Sequence, residues 1–292
     1  MICVLLVSFQ TIYYIKCLNI QQIQILTYKF FFSFRHMDGN HKLIKWRFVI
    51  HGCIDGYSRT IVFLKCSTNN RASTVLENFE NAISQFRMPL RIRTDHGTEN
   101  IQVARAMLDA HGVASKPVIT GKSVHNQRIE RLWVDVGVNV NSSFRNIFHH
   151  LEEEFLFDPL NELHLFALHY IFLPRINRML DNFVSSWNNH PIRTCQNKSP
   201  MQIWTEGFIS NSTNDNTLLT STDINTYGID WNGPVPGLQT DNHVEVPEVD
   251  FDLSEDAINY IENHFDPLEN DSNYGVNLYL QLLEYVNNLN HH

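Results

Sequence analysis

Residues 208–292 contain no Lys and no Arg, yet they carry 15 Asp and Glu. That excludes the stretch as an arm for a polyanion, because phosphate contacts need basic side chains. Cysteine is scarce as well. The five are Cys3, Cys17, Cys53, Cys66 and Cys195, scattered and without a CxxC pair. Such a set excludes a disulfide framework and a zinc finger, and fits a reducing compartment. Long hydrophobic runs are missing too. The apolar run over residues 2–9 is too short to span a bilayer, and it lacks the preceding basic residues and small-residue cleavage site of a signal peptide. No membrane role is expected.

What is present suits one sizeable domain with appendages, or two small ones: 292 residues, 43% of them hydrophobic. A core of ordinary size needs no disulfide or metal staple. The net charge of −9 divides unevenly. Residues 1–35 hold Lys16, Lys29 and Arg35 and no acid, which leaves residues 36–207 with 19 basic against 16 acidic side chains, a net of +3. A mildly basic body able to approach a polyanion is therefore joined to a tail that would repel or mask one. Residues 1–35, with the patternless aromatic "YKFFFSF", are expected outside the fold, as from a misjoined gene model. Residues 36–207 form the expected domain. Residues 208–292 read as acidic linker and tail, partly disordered where Asn, Ser and Thr dominate, with helical patterns in "SEDAINYIENHF" and "NLYLQLLEYVNNL".

Within the body, "WRFVIHGCIDGYSR" and "TIVFLKCS" are β-branched and aromatic with a Gly56-Tyr57-Ser58 turn between them, which predicts a hairpin. "HMDGNHKL" before them suits the end of a first strand. Apolar residues from Ala72 to Phe86 recur at helical spacing, with Asn69 or Asn70 to cap them. "LRIRTDHG" is a short strand stopping at Asp95; "ENIQVARAMLDAHG" is a second helix stopped by Gly112; "SKPVIT" suits another strand. A third helix carries Ile129, Leu132, Trp133 and Val136 as one buried stripe. Glu130 lies about 110° from the centre of that stripe, at its edge. Further helical patterns cover residues 144–157 and 160–188, with Pro174 expected to kink or split the second.

Three acids then stand out: Asp38 near one strand end, Asp95 at another, and Glu130 on a helix 35 residues later. Strand ends open onto the crevice where α/β folds bind ligands. Clustered carboxylates suit a divalent cation, since Mg²⁺ takes hard oxygens and shares its shell with substrate phosphates. Two such ions can activate an attacking oxygen and stabilise a leaving one in phosphoryl transfer. Spacing alone favours a plainer reading. Glu130 between Arg128 and Arg131 suits a solvated helix face. Asp38 before Gly39 and Asp95 before His96-Gly97 suit turns. Asp55 before Gly56 rivals Asp38 as the first acid. Trp133, Trp187 and Trp204 suit packing better than base stacking.

The order and separation of "HMDGNHKL", "VIHGCIDGYSR", "RTDHGTEN", "SVHNQRIERLW" and "WNNHPIRTCQNKSPMQIW" resemble the integrase core domain of retroviral and retrotransposon integrases and the related DDE transposases. The likeness is nearest to animal integrase-core proteins derived from mobile elements. The resemblance implies an α/β fold similar to ribonuclease H, a mixed five-stranded sheet flanked by helices, here followed by a helical extension and the acidic tail. It implies Asp38, Asp95 and Glu130 as the catalytic and metal-binding triad for Mg²⁺ or Mn²⁺, with Asp55 structural. It implies DNA contacts from His96, Asn100, Lys122, Asn126 and Gln127, a homo-oligomer, and a polynucleotidyl transferase that nicks DNA ends and joins them to a second duplex. DNA as substrate suggests the nucleus, although no basic import cluster is evident. The usual N-terminal zinc domain and basic C-terminal DNA-binding domain have no counterpart in the residues. The alternative is therefore a host-retained, catalytically inactive module that binds nucleic acid or protein, with the acidic tail as a candidate protein-binding segment.

Overall fold

The computed structural model describes residues 34–121, 126–211, 246–247, 249 and 253–289. Strand β1 (Phe34–Asn40) runs through the middle of a five-stranded sheet. On one side it pairs antiparallel with β2 (Val49–Asp55), which turns back into β3 (Ile61–Ser67) as the expected hairpin. On the other it pairs parallel with β4 (Arg91–Thr94), and β4 pairs parallel with β5 (Val118–Thr120). The order is β3-β2-β1-β4-β5, the mixed sheet that the resemblance implies. β1 starts at Phe34, two residues before the expected boundary at residue 36.

Alternation along the strands assigns the two faces. Met37 and its partner Cys53 point to one face, where α1 (Ala72–Phe86) and α2 (Ile101–His111) bury Val75, Phe79, Val103 and Met107. Asp38 and its partner Gly52 point to the other, which α3 (Gln127–Val136) covers. The predicted stripe of Ile129, Leu132, Trp133 and Val136 is wholly buried there. Helix α3 does not stop at its end. One turn of π-helix, Gly137–Asn141, carries it into α4 (Ser142–Glu153). The wider turn keeps Val140, Phe144 and Phe148 on the buried side.

Helix α5 (Glu162–Asn189) follows, its start capped by the Asn161 side chain accepting from the Leu163 amide. Pro174 lies within it without ending it, contrary to the expected split. The helix lies along β3, an edge strand. Asn177 accepts from the Cys66 amide and donates to its carbonyl; Asn188 does the same for Ile61. These amides complete the backbone pairing that an edge strand lacks. Helix α6 (Pro200–Asn211) runs past the expected domain end at residue 207.

Helices α7 (Glu255–His264) and α8 (Val276–Leu289) occur where their patterns were read, and they pack against the core. Ile261, Tyr279, Leu282 and Val286 are buried in one cluster with Phe172, Ile176 and Leu180 of α5. The Tyr279 hydroxyl donates to the Leu156 carbonyl, and Arg175 donates to that of Glu269. The acids of α7, such as Glu255 and Glu262, are exposed, while its apolar side packs. The expected linker over residues 212–245 lies outside the described residues, as do residues 1–33.

Candidate active site

Strand pairing brings the first two acids side by side. β1 and β4 run parallel with Phe34 beside Arg91 and His36 beside Arg93. The same offset, carried two residues on, aligns Asp38 with Asp95, and the charge of Asp95 acts on Asp38. Asp95 directly follows β4 and forms a tight turn. Its Oδ1 accepts from the Gly97 amide at 3.1 Å and from Asn100 Nδ2 at 3.2 Å. Glu99, a further acid, is buried beside Asn100.

The third acid arrives through the start of α3. The Asn126 carbonyl accepts the first helical amides, including that of Glu130 at 3.2 Å. The Asn126 side chain is buried and spans to β1: its Nδ2 donates to the Met37 carbonyl at 2.8 Å, and its Oδ1 lies 2.7 Å from His36 Nδ1. Because Nδ2 is the donor to Met37, Oδ1 must accept, so His36 Nδ1 carries the ring proton. Burial holds this fully enclosed imidazole neutral and pushes its pKa down to about 3. The clamp ties the residue four before Glu130 to the residues just before Asp38.

The electrostatics link all three carboxylates. The Asp38 carboxyl is pushed well above the usual range by burial and then by the charges of Asp95 and Glu130. Glu130, half-buried, is raised by burial and by Asp95, with Lys42 opposing. Every pair in the triad therefore repels. Against this, Trp133 Nε1 donates to Asp38 Oδ2 at 2.8 Å. Arg131 is exposed and pairs with Asp135 at 3.0 Å. Glu130 itself is half-buried.

Asp55, the rival first acid, serves the β2–β3 turn. It is buried, and its Oδ1 accepts from the Tyr57 amide, the Ser58 amide and the Ser58 hydroxyl at 3.1, 2.7 and 2.7 Å. Burial raises it to about 6, with the Ser58 hydrogen bonds and Arg35 countering.

The residues expected to touch DNA separate. His96 is exposed and Gln127 half-buried, beside the acids in sequence and fold. Asn100 and Asn126 are buried, and their side-chain amides bond to Asp95 and to β1. Lys122 lies outside the described residues. Sequence reasoning passed over Trp133 as an acid partner, together with His36 and Glu99. The i+3 spacing of Trp133 from Glu130 was the one available signal.

The donor set is all carboxylate oxygen, which is the chemistry of Mg²⁺ or Mn²⁺ rather than of zinc. Among the described residues, no three His, Cys, Asp or Glu side chains stand close enough to grip one ion by themselves. That fits a cation held by one or two carboxylates and completed by water and substrate phosphate.

A family model described as "Integrase core domain" matches residues 29–218. This chain belongs to the integrase core domain family. The matched part of the integrase core spans β1 to α6 and leaves α7 and α8 outside. No curated protein matches it. Among solved structures, it is similar to the HTLV-2 integrase catalytic core domain in complex with magnesium. The trimeric form is 16% identical over 59% of this chain and 95% of that one, with a TM-score of 0.41. The dimeric form is 15% identical over 59% and 96%, with a TM-score of 0.40. A simian T-cell lymphotropic virus intasome in complex with PP2A regulatory subunit B56 gamma is 13% identical over 59% of this chain and 54% of that one, at 0.42. These are distant likenesses, and the family assignment rests on the family match.

Proposed function

We propose that this integrase core is a divalent-metal-dependent polynucleotidyl transferase of the DNA-integration type, with Asp38, Asp95 and Glu130 as its catalytic carboxylates. The observation that carries the reading is the mutual repulsion of all three acids across β1, the turn after β4 and the start of α3. A fold that forces such charges together gains by taking up a cation. Asp38 and Asp95 would hold Mg²⁺ or Mn²⁺ with Glu130 closing the site. The ion, when bound, supplies activation of the attacking oxygen and charge stabilisation at phosphorus.

The chain's own part is to fix these oxygens and admit a phosphodiester. In the first step water attacks phosphorus, the P–O3′ bond breaks, and a 3′-hydroxyl is released. In the second, that hydroxyl attacks a phosphodiester of another duplex and forms a new P–O bond as the old one breaks. His96, Asn100, Lys122, Asn126 and Gln127 are the proposed DNA contacts. With a net of +3 over residues 36–207, binding should be weak and fall steeply with salt. Use of two duplexes favours a homo-oligomer, and the substrate favours the nucleus.

The test is nicking and strand transfer on duplex ends with Mg²⁺ or Mn²⁺. Wild type is expected to cut, and Glu130→Gln to lose the activity while staying folded. Equal cutting by both would reject the triad. A folded wild-type chain that never cuts, yet binds nucleic acid or protein, would favour the non-catalytic module instead. The basic-residue-free tail speaks for that second reading.

A further inference from the structure

The indole of Trp133 lies where two observations meet. Its ring is seated directly over Gly52 of β2. A Cβ at that position would come within 2.6 Å of Trp133 Cη2 and 3.1 Å of Leu64 Cδ1. Gly52 is also the cross-strand partner of Asp38. The missing side chain therefore opens a slot on the sheet beside Asp38, and the indole fills it. From that seat its Nε1–H reaches Asp38 Oδ2 at 2.8 Å. Trp133 is otherwise anchored by the buried stripe of α3, between Leu132 and Val136.

We propose that Trp133, seated on Gly52, is the positioning residue of Asp38: it takes one carboxylate oxygen and turns the other toward the site. A carboxylate with one oxygen committed to an N–H can offer a ligand only the other, so it binds one-sidedly and in a fixed rotamer. The same helix carries Glu130 three residues earlier, so one rigid element supplies the third acid and aligns the first. The proposal deepens the functional reading and rests on it only where metal is concerned. The contact itself can be judged in metal-free protein.

The experiment is nuclear magnetic resonance of the five tryptophan indole N–H groups in the full chain, followed by magnesium titration calorimetry. The Trp133 signal is assigned by its disappearance in Trp133→Phe. In metal-free protein, Asp38→Ala should shift that signal upfield as its acceptor is removed, and Gly52→Ala should displace it. Adding Trp133→Phe to Gly52→Ala should recover thermal stability, because the smaller ring frees space for the methyl group. With Mg²⁺ as the probe, Trp133→Phe should bind about 10-fold more weakly than wild type, the usual effect of losing a ligand's hydrogen-bonding partner.

An indole signal indifferent to Asp38→Ala would overturn the proposal. So would equal magnesium affinity in wild type and a folded Trp133→Phe. If wild type takes up no magnesium, the functional reading fails instead, and the indole signal alone then decides whether Trp133 orients Asp38.

Discussion

Asp38, half-buried, and Asp55, buried, sit on adjoining strands, each followed by a glycine, and the fold surrounds them with opposite company. At the β2–β3 turn, Asp55 is met by two amides and a hydroxyl, so its charge is balanced inside the molecule. At the junction of β1, β4 and α3, Asp38 is met by Asp95 and Glu130, with the Trp133 indole N–H and the Gly39 backbone in compensation. Turn chemistry needs an internally satisfied acceptor. A cation site needs acceptors left short of partners. Two aspartates with similar sequence surroundings thus divide into a structural acid and, on the proposed reading, a functional one.

The sharpest way to break this comparison is to neutralise each in turn. Asp38→Asn should reduce nicking at least about 1000-fold, equivalent to about 4 kcal/mol of barrier, with the fold intact. Matched assays and thermal melts would check it. Asp55→Asn should do the reverse, costing about 2–3 kcal/mol of stability by urea unfolding and lowering activity only as far as the folded fraction falls. If the two variants behaved alike, the division would be wrong.

The clamp beside the acid cluster gives a pH signature of similar size. His36 titrates at about 3 when folded and near 6.5 when unfolded, so between those values the unfolded chain binds more protons. Stability contributed by the neutral imidazole is complete above pH 6.5 and is lost as pH falls toward 3, by an amount on the order of 4 kcal/mol. Urea unfolding at stepped pH should give that slope, and His36→Gln should flatten it.

The smallest effect has the most telling sign. Asp38 and Glu130 are raised in the fold, so the protonated acids favour folding at low pH and that contribution is lost as pH rises through their folded values. At pH 7 without metal the cluster is therefore a liability. Asp38→Asn should raise the melting temperature by a few degrees, about 1 kcal/mol. Saturating Mg²⁺ should narrow or reverse that gain by binding the wild-type fold.

Much of this was legible in the residues. Period-two and helical patterns gave β1 to β5 and the stripe of α3, because those segments bury one face against a large sheet. The three acids of the proposed site could be singled out because strand ends and a helix edge are places that the sequence pattern marks. What escaped depends on neighbours distant in the chain. Asn126 has the same amide whether it faces DNA or is locked between His36 and Met37, some 90 residues away. Asn100 likewise reads as a loop residue until its bond to Asp95 is seen. Trp133 was correctly placed in the core, but its bond to Asp38 depends on an empty position at Gly52. The docking of α8 onto α5 was hidden by acidic composition, since exposed acids dominate the count while Tyr279, Leu282 and Val286 make the contact.

The most direct test is a crystal structure of the chain grown with magnesium. An ion bound about 2.0–2.1 Å from oxygens of both Asp38 and Asp95, with Glu130 turned toward it, is the expected result. A well-ordered structure in saturating magnesium with Glu130 facing open solvent and no ion between the two aspartates would contradict the account.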